Sequence, residues 1–353
     1  MKKAIVILLI IALVVVGFIG FQQGWFTGEV ADAREIIIDR EEPTIIDGEL
    51  VDGEFFVGLV QFAPHPALDA AREGFIAGLR EEGFIEGQNI TFRTLNSNGD
   101  MSTLNLMAQQ IVDENPNLIL SIATPTSIAL RNVTQDIPIM ITAVTDPLRI
   151  DGVDSLELPG ANVSGTSDRT PVAAQFEFIQ RVLPETQTIG ILYNAGEINA
   201  VIQAEWAENA ANALGLTPRR FSVATGADVV QVAEAAAGQV DVIYLPTCNL
   251  MAQAYVTVVM AADGAGIPVI AGESGGVLQG ALATEGIDYF ELGRQTAIMA
   301  AAILRGETEP ATMPIQFQSN YAIAVNLVTA ERLGIEIPQD IVDAANFRVR
   351  FAD

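Results

Sequence analysis

The 353-residue sequence has one cysteine (Cys248), one histidine (His65) and only two lysines, both at its start. One cysteine cannot close an internal disulfide or supply a cysteine-rich zinc site, and one histidine cannot build a histidine-based metal cluster. No metal and no cofactor is expected. Cations are scarce throughout: 18 Lys+Arg stand against 44 Asp+Glu, a formal charge of −26. Nucleic-acid affinity rests on Lys and Arg displacing phosphate counterions, so DNA and RNA are excluded as partners. Nucleotide loops are missing too, since the glycine-rich stretch 272–280 has no following lysine and no G-x-G-x-x-G follows the first strand. Half of the residues are apolar, which excludes global disorder, and the length allows about two domains of roughly 100–200 residues.

What is present begins with those two lysines. Lys2 and Lys3 precede the uncharged run 4–21, AIVILLIIALVVVGFIGF. A short positive segment before a long apolar one is an export signal. Its length stands at the lower edge of a membrane span and above that of an ordinary signal core. The lysines stay cytoplasmic and everything after Gln22 lies outside. The run contains no cysteine to acylate, which closes the lipoprotein route. Two export outcomes stay open: an uncleaved anchor, or cleavage after the small-x-small triplet Ala31-Asp32-Ala33, which lies unusually far beyond the apolar run; a buried core helix is the remaining reading, since the run has no polar face. Residues 22–54 then carry ten acidic residues and two arginines. Apart from Ile36–Ile38 and Ile45-Ile46 they lack apolar periodicity, and they read as a solvated spacer.

From Phe55 onward, short apolar runs alternate with amphipathic stretches. Strands are predicted at 55–62, 90–95, 118–123 and 138–144, with helices at 67–82, 103–115 and 127–134 between them. The first helix places Leu68, Ala71, Phe75 and Leu79 at helical spacing. The cycle restarts with helices at 172–183, 200–214, 229–237, 251–264 and 275–279, alternating with strands at 188–193, 219–223, 240–245, 268–271 and 281–284. Such alternation predicts an α/β protein of two doubly wound lobes, each a parallel sheet covered on both faces. The remaining stretches, 289–305 and 315–334, are too short for a third domain and complete the lobes by crossing between them. The organisation expected is 1–21 as signal or anchor and 22–54 as spacer. Lobe 1 takes 55–166 with 288–319, and lobe 2 takes 167–287 with 320–353.

Open parallel sheets bind ligands beyond the carboxyl ends of their strands. In the first lobe those ends hold Phe62 and His65, then Thr124 and Ser127, then Asp146. In the second they hold Ser167-Asp168, Tyr193-Asn194, Thr247-Cys248-Asn249 and Gly272-Glu273-Ser274. Thr124 before Pro125 has the form of a helix cap with proline at the first turn. Its free N–H groups, with the hydroxyls of Thr126 and Ser127, suit a carboxylate. Asp146, Asp168 and Glu273 suit an ammonium group. Together they fit a zwitterion such as an amino acid and fit a phosphorylated ligand badly. The same residue types also cap helices in any α/β protein, so the set does not identify the ligand. Phe62, Tyr193 and Tyr289 are candidates for stacking on an aromatic ligand or, equally, core packing; Trp206 reads as packing.

Two catalytic readings are weak. A nucleophilic Cys248 needs a base, and the only histidine lies between two prolines in the opposite lobe. Gly272-Glu273-Ser274-Gly275-Gly276 satisfies G-x-S-x-G between a strand and a helix, the context of a hydrolase nucleophile elbow. No histidine follows Ser274, however, as that arrangement requires. The protein is expected not to be an enzyme.

Several long motifs, in order over about residues 55–335, resemble one family. They include His65-Pro66-Ala67-Leu68-Asp69-Ala70-Ala71-Arg72-Glu73-Gly74-Phe75, TAVTDP at 142–147, NVSGTSD at 162–168, IGILYN at 189–194, IPVIAGE at 267–273 and ALATEGIDYFELG at 281–293. The sequence resembles the ABC-transporter substrate-binding proteins that include tryptophan- and tyrosine-binding members. The resemblance implies a type I periplasmic-binding-protein fold, with two lobes, three crossovers and a ligand between them. It also implies delivery of the ligand to a membrane permease driven by a cytoplasmic ATPase; the protein is expected to be a monomer. Carried over by motif, the ligand-lining positions are Phe62, His65, Thr124, Ser127, Asp146, Ser167, Asp168, Tyr193, Asn194, Asn249 and Glu273. Cys248 stands where many members have an acidic residue, either a ligand contact or a helix cap. A sensory ectodomain partner reporting to a receptor would share the fold and remains the alternative to transport.

Overall fold

The computed structural model describes residues 35–40 and 42–352. The apolar run 4–21 and the cleavage triplet at Ala31-Asp32-Ala33 lie outside them. Among the described residues no helix is long and apolar enough to cross a membrane. By its contacts the chain divides into Ile38–Arg350, the unit described from here on, and a second unit that takes Ile36-Ile37 and Phe351.

Two sheets organise the described residues. The first contains β2 (Phe55–Gln61), β3 (Ile90–Asn96), β4 (Leu118–Ile122), β5 (Ile139–Val144), β6 (Val163–Ser167) and β12 (Gln316–Phe317), in the order β12-β6-β5-β4-β2-β3. All its pairings are parallel. β4 and β5 are buried at every position, as strands covered by helices on both faces must be, and their sequences LILSI and IMITAV are accordingly almost wholly apolar. The covering helices are α1 (Pro66–Glu81), α2 (Met101–Asp113), α3 (Thr124–Val133) and α9 (Tyr289–Leu304).

The second sheet contains β1 (Ile36–Arg40), β7 (Thr188–Tyr193), β8 (Thr217–Ser222), β9 (Val242–Leu245), β10 (Val269–Ala271), β11 (Ala283–Gly286), β13 (Ala322–Asn326) and β14 (Phe347–Phe351). Its order is β1-β14-β13-β11-β10-β9-β7-β8. Its helices are α4 (Val172–Val182), α5 (Ile198–Ala213), α6 (Val229–Ala237), α7 (Asn249–Asp263), α8 (Ser274–Leu278), α10 (Leu327–Leu333) and α11 (Gln339–Ala344). The two sheets have separate cores, one around Phe75, Leu104 and Ile111, the other around Phe176, Tyr244 and Tyr255. The chain passes between them after β6, after β11 and between β12 and β13.

Three features depart from the expectations. β13 runs antiparallel to β11, because it enters the second sheet by a short return from β12 rather than over a crossover helix. Ser167 ends β6, which pairs with β5, so Ser167 and the adjoining Asp168 leave the first sheet's edge rather than the second's. Within the span 22–54, read as a spacer, the described residues are partly structured. Ile36–Arg40 is a strand, and Gly48 N and Val51 N donate to the carbonyls of Arg80 and Gly83, each at 3.1 Å. Those carbonyls lie at the end of α1, where helix acceptors lack partners within the helix.

α1 and α9 are packed backbone to backbone through glycines. A Cβ on Gly74 would lie 2.0 Å from the Phe290 carbonyl oxygen, and one on Gly293 would lie 2.0 Å from that of Ala71. This contact fixes the start of α1, and with it His65.

Candidate functional site

A small cavity lies between the lobes. From the first lobe it is lined by His65, Leu68, Ala143, Thr145, Asp168 and Tyr289. Asn199, Thr247, Cys248, Asn249, Tyr255 and Glu273 line it from the second. No lysine or arginine is among the lining residues.

Strand ends and helix starts place each polar group. His65 is the N-cap of α1, with extended backbone and Pro66 following, and its ring makes no capping bond. The ring turns instead to the other lobe, where Nε2 lies 3.3 Å from Asn249 Oδ1. Ala123 and Ala143, following β4 and within the end of β5, have φ of 85° and 56°. That left-handed geometry is costly for alanine and clusters at functional sites. Asp168 accepts from Tyr289 OH at 2.6 Å and from Thr145 Oγ1 at 3.1 Å. Glu273 caps α8, accepting from Gly275 N at 2.5 Å.

Both carboxyls are almost completely buried, each 3% exposed. Burial pushes the Asp168 carboxyl up, against the hydroxyls of Tyr289 and Thr145, which pull it down. Burial raises Glu273 to about 7, opposed by the N–H groups of Gly275 and Gly276. An ionised carboxylate buried with no cation is expensive, and these two share one cavity.

The start of α7 is capped by a residue other than Cys248, which lines the cavity. Cys248 is the N-cap but makes no capping bond. Glu197 supplies the carboxylate from the opposite loop, accepting from Asn249 N and Leu250 N, both at 2.9 Å. Burial, followed by the charge of Glu197, pushes the Cys248 thiol well up. A thiol held protonated is a poor nucleophile. Ser274 Oγ donates to the Ile287 carbonyl at 3.5 Å, while the ring of the one histidine is engaged with Asn249.

Of the residues expected to line the site, His65, Asp168, Asn249 and Glu273 meet in this cavity. Phe62 and Asn194 line a wider neighbouring groove with Pro125, Glu197 and Leu250. The remaining five line neither. Ser127 Oγ is 2.7 Å from Ser121 Oγ and donates to the Ala123 carbonyl, and Thr124 Oγ1 accepts from Thr145 N. Ser167 Oγ donates to the Thr145 carbonyl, and Tyr193 belongs to the second core. Asp146 caps the turn Pro147–Arg149 and pairs with Arg149 at 3.2 Å. Thr145, Glu197, Asn199, Thr247 and Tyr255 were not among the expected lining positions. Thr145 and Thr247 stand at strand ends, a usable signal; the other three lie on or before helices and gave none.

Comparison with known proteins places this geometry. The family model for ABC transporter substrate binding proteins matches residues 56–349. A tyrosine-binding protein of Clostridioides difficile (strain R20291) is 36% identical over 280 residues, covering 79% of this chain and 81% of that one. The crystal structure of an ABC domain from Streptococcus pneumoniae in complex with L-Trp is 33% identical, with a TM-score of 0.80, covering 84% of this chain and 99% of that one. A substrate binding protein with adhesive properties from Clostridium difficile, in its ligand-free, open structure, is 38% identical. It covers 84% of this chain and 100% of that one, with the lower TM-score of 0.66. The chain belongs to the ABC transporter substrate binding protein family, a transport component and not an enzyme.

Proposed function

We propose that this chain captures an aromatic amino acid outside the cytoplasm and delivers it, as a monomer, to a membrane permease driven by a cytoplasmic ATPase. The apolar run 4–21 holds it at the membrane, or releases it once cut after Ala33. The observation that carries the ligand reading is the pair Asp168 and Glu273, buried in one cavity with no lining cation. An ammonium group supplies the missing charge. Thr247 Oγ1 accepts from Gln203 Nε2, so its own O–H is left to donate to the ligand carboxylate. Tyr255 and Tyr289 offer rings to an aromatic side chain. The relatives that bind tyrosine and L-Trp support the same class.

A thermal-shift panel of the twenty amino acids tests this. Tryptophan or tyrosine at about 100 times its dissociation constant adds about 2.7 kcal/mol and raises the melting temperature accordingly. A panel in which no amino acid moves the transition overturns the reading.

Affinity should also depend on pH. Glu273 has its folded value at about 7, above the ordinary 4.5. In the ligand-free protein its contribution to stability is therefore full below 4.5 and lost as pH rises to 7. An ammonium ligand needs the ionised form, so its affinity falls below pH 7, by up to about tenfold per pH unit. Calorimetry on either side of neutrality checks this, and Glu273→Gln should flatten the profile. A wild-type profile that is already flat would place the ammonium away from Glu273.

A further inference from the structure

The cavity is also lined by polar groups other than the two carboxylates, among them His65, Asn199 and Asn249. Asn249 Nδ2 lies 2.7 Å from Glu197 Oε2. That oxygen already accepts from Asn249 N at 2.9 Å, so the Asn249 atom facing it must be the N–H donor. The opposite atom, Oδ1, then faces His65 Nε2 at 3.3 Å. An amide oxygen only accepts, so Nε2 carries the proton. Burial lowers the pKa of the imidazole, and a neutral ring protonated at Nε2 has a lone pair on Nδ1. Glu197, which does not touch that nitrogen, thus sets its tautomer through Asn249.

His65 Nδ1 is buried and has no partner. Asn199 Oδ1 is in the same state on the other lobe. Its amide nitrogen donates to the Thr247 carbonyl at 3.2 Å, which fixes the oxygen as the unused end. Both residues line the cavity and both are 6% exposed. Buried acceptors left unpaired carry a desolvation cost that a donor on the ligand would relieve.

We infer that His65 Nδ1 and Asn199 Oδ1 form an acceptor subsite that selects aromatic amino acids bearing a ring N–H or O–H, an indole or a phenol, over those without one. The inference rests on the proposed amino-acid ligand and adds the feature of the side chain that is read. His65 belongs to the first lobe and Asn199 to the second, so a ligand that meets both bridges the lobes.

Two measurements on the whole exported protein test it. The first compares, by calorimetry, L-tryptophan with 3-(3-benzothienyl)-L-alanine, in which sulfur replaces the indole N–H, and L-tyrosine with L-phenylalanine. The donor-bearing member of at least one pair should bind about tenfold tighter or more, and His65→Phe should level that pair. The second uses the single histidine of the chain, whose nitrogen-15 resonances need no assignment. Nδ1 should be unprotonated without ligand and should shift with the donor-bearing ligand but not with its analogue. Equal affinities within both pairs, or an Nδ1 protonated in the free protein, overturn the subsite while leaving the aromatic reading standing. If none of the four ligands binds, the aromatic reading itself fails and the subsite with it.

Discussion

Asp168→Asn should bind an ammonium-bearing ligand at least about 30-fold more weakly than wild type, while the ligand-free protein becomes more stable. The binding loss follows from removing one member of a buried charge pair, which costs about 2–5 kcal/mol. The stability gain follows from the ligand-free state. Asp168 is buried beside Glu273 with no lining cation, and its carboxyl is pushed up by burial. A folded value above the unfolded one means that folding is penalised above the unfolded pKa, where the unfolded chain ionises first. Asparagine removes that penalty and can still accept one of the hydroxyls of Tyr289 and Thr145. Opposite signs in the two measurements distinguish a ligand-binding carboxylate from a structural one. Calorimetric titration and thermal melts at neutral pH are the readouts, and the stability gain should disappear near pH 3. A variant that binds normally, or one that loses stability in the ligand-free state, would remove Asp168 from the ammonium site.

Gly293→Ala should destabilise the protein by about 3 kcal/mol, the upper part of the usual range for overpacking. Alanine in place of glycine within a helix normally stabilises by about 0.5–1 kcal/mol, so the sign is informative. The added Cβ would lie 2.0 Å from the Ala71 carbonyl oxygen and 2.9 Å from Phe75 N. These are backbone atoms of α1 and cannot rotate aside. Gly74→Ala, whose Cβ would meet the Phe290 carbonyl at 2.0 Å, should behave alike. Because α1 begins at His65, the displaced helix should also lower affinity for the ligand. Denaturant unfolding gives the stability, and an unchanged or raised midpoint would show that the helices do not meet at these glycines.

The fold was legible because its signals are local. Near-continuous apolar strands such as Leu118–Ile122 have one stable environment, the middle of a covered parallel sheet, and helical spacing in Pro66–Glu81 gives the face turned toward that sheet. The less legible parts depend on long-range pairing. β13 runs antiparallel, and Ile36–Arg40 joins a sheet whose other strands follow much later in the chain. Neither fact has a signature within a window of ten residues.

The site divides in the same way. Asp168 and Glu273 could be named from strand ends, because the carboxyl edge of a parallel sheet is where helix starts and ligands meet. The same reasoning selected Ser127 and Asp146, which folding gave to Ser121 and Arg149 instead. A hydroxyl or carboxylate at a strand end satisfies the nearest partner available, and the sequence does not say which partner is nearest. Glu197 is the converse case, an acidic residue with no motif that becomes the cap of α7 because two loops converge.

The sequence by itself determined the two-lobed α/β class and strand ends poor in cations and rich in carboxyl, hydroxyl and amide groups. Composition and periodicity are properties of the chain and survive any arrangement of the lobes. Only the tertiary structure decided which buried acceptors are left unpaired. Pairing is set by distances of about 3 Å between residues as far apart as His65 and Asn249, and closing the two lobes is what brings them within that reach.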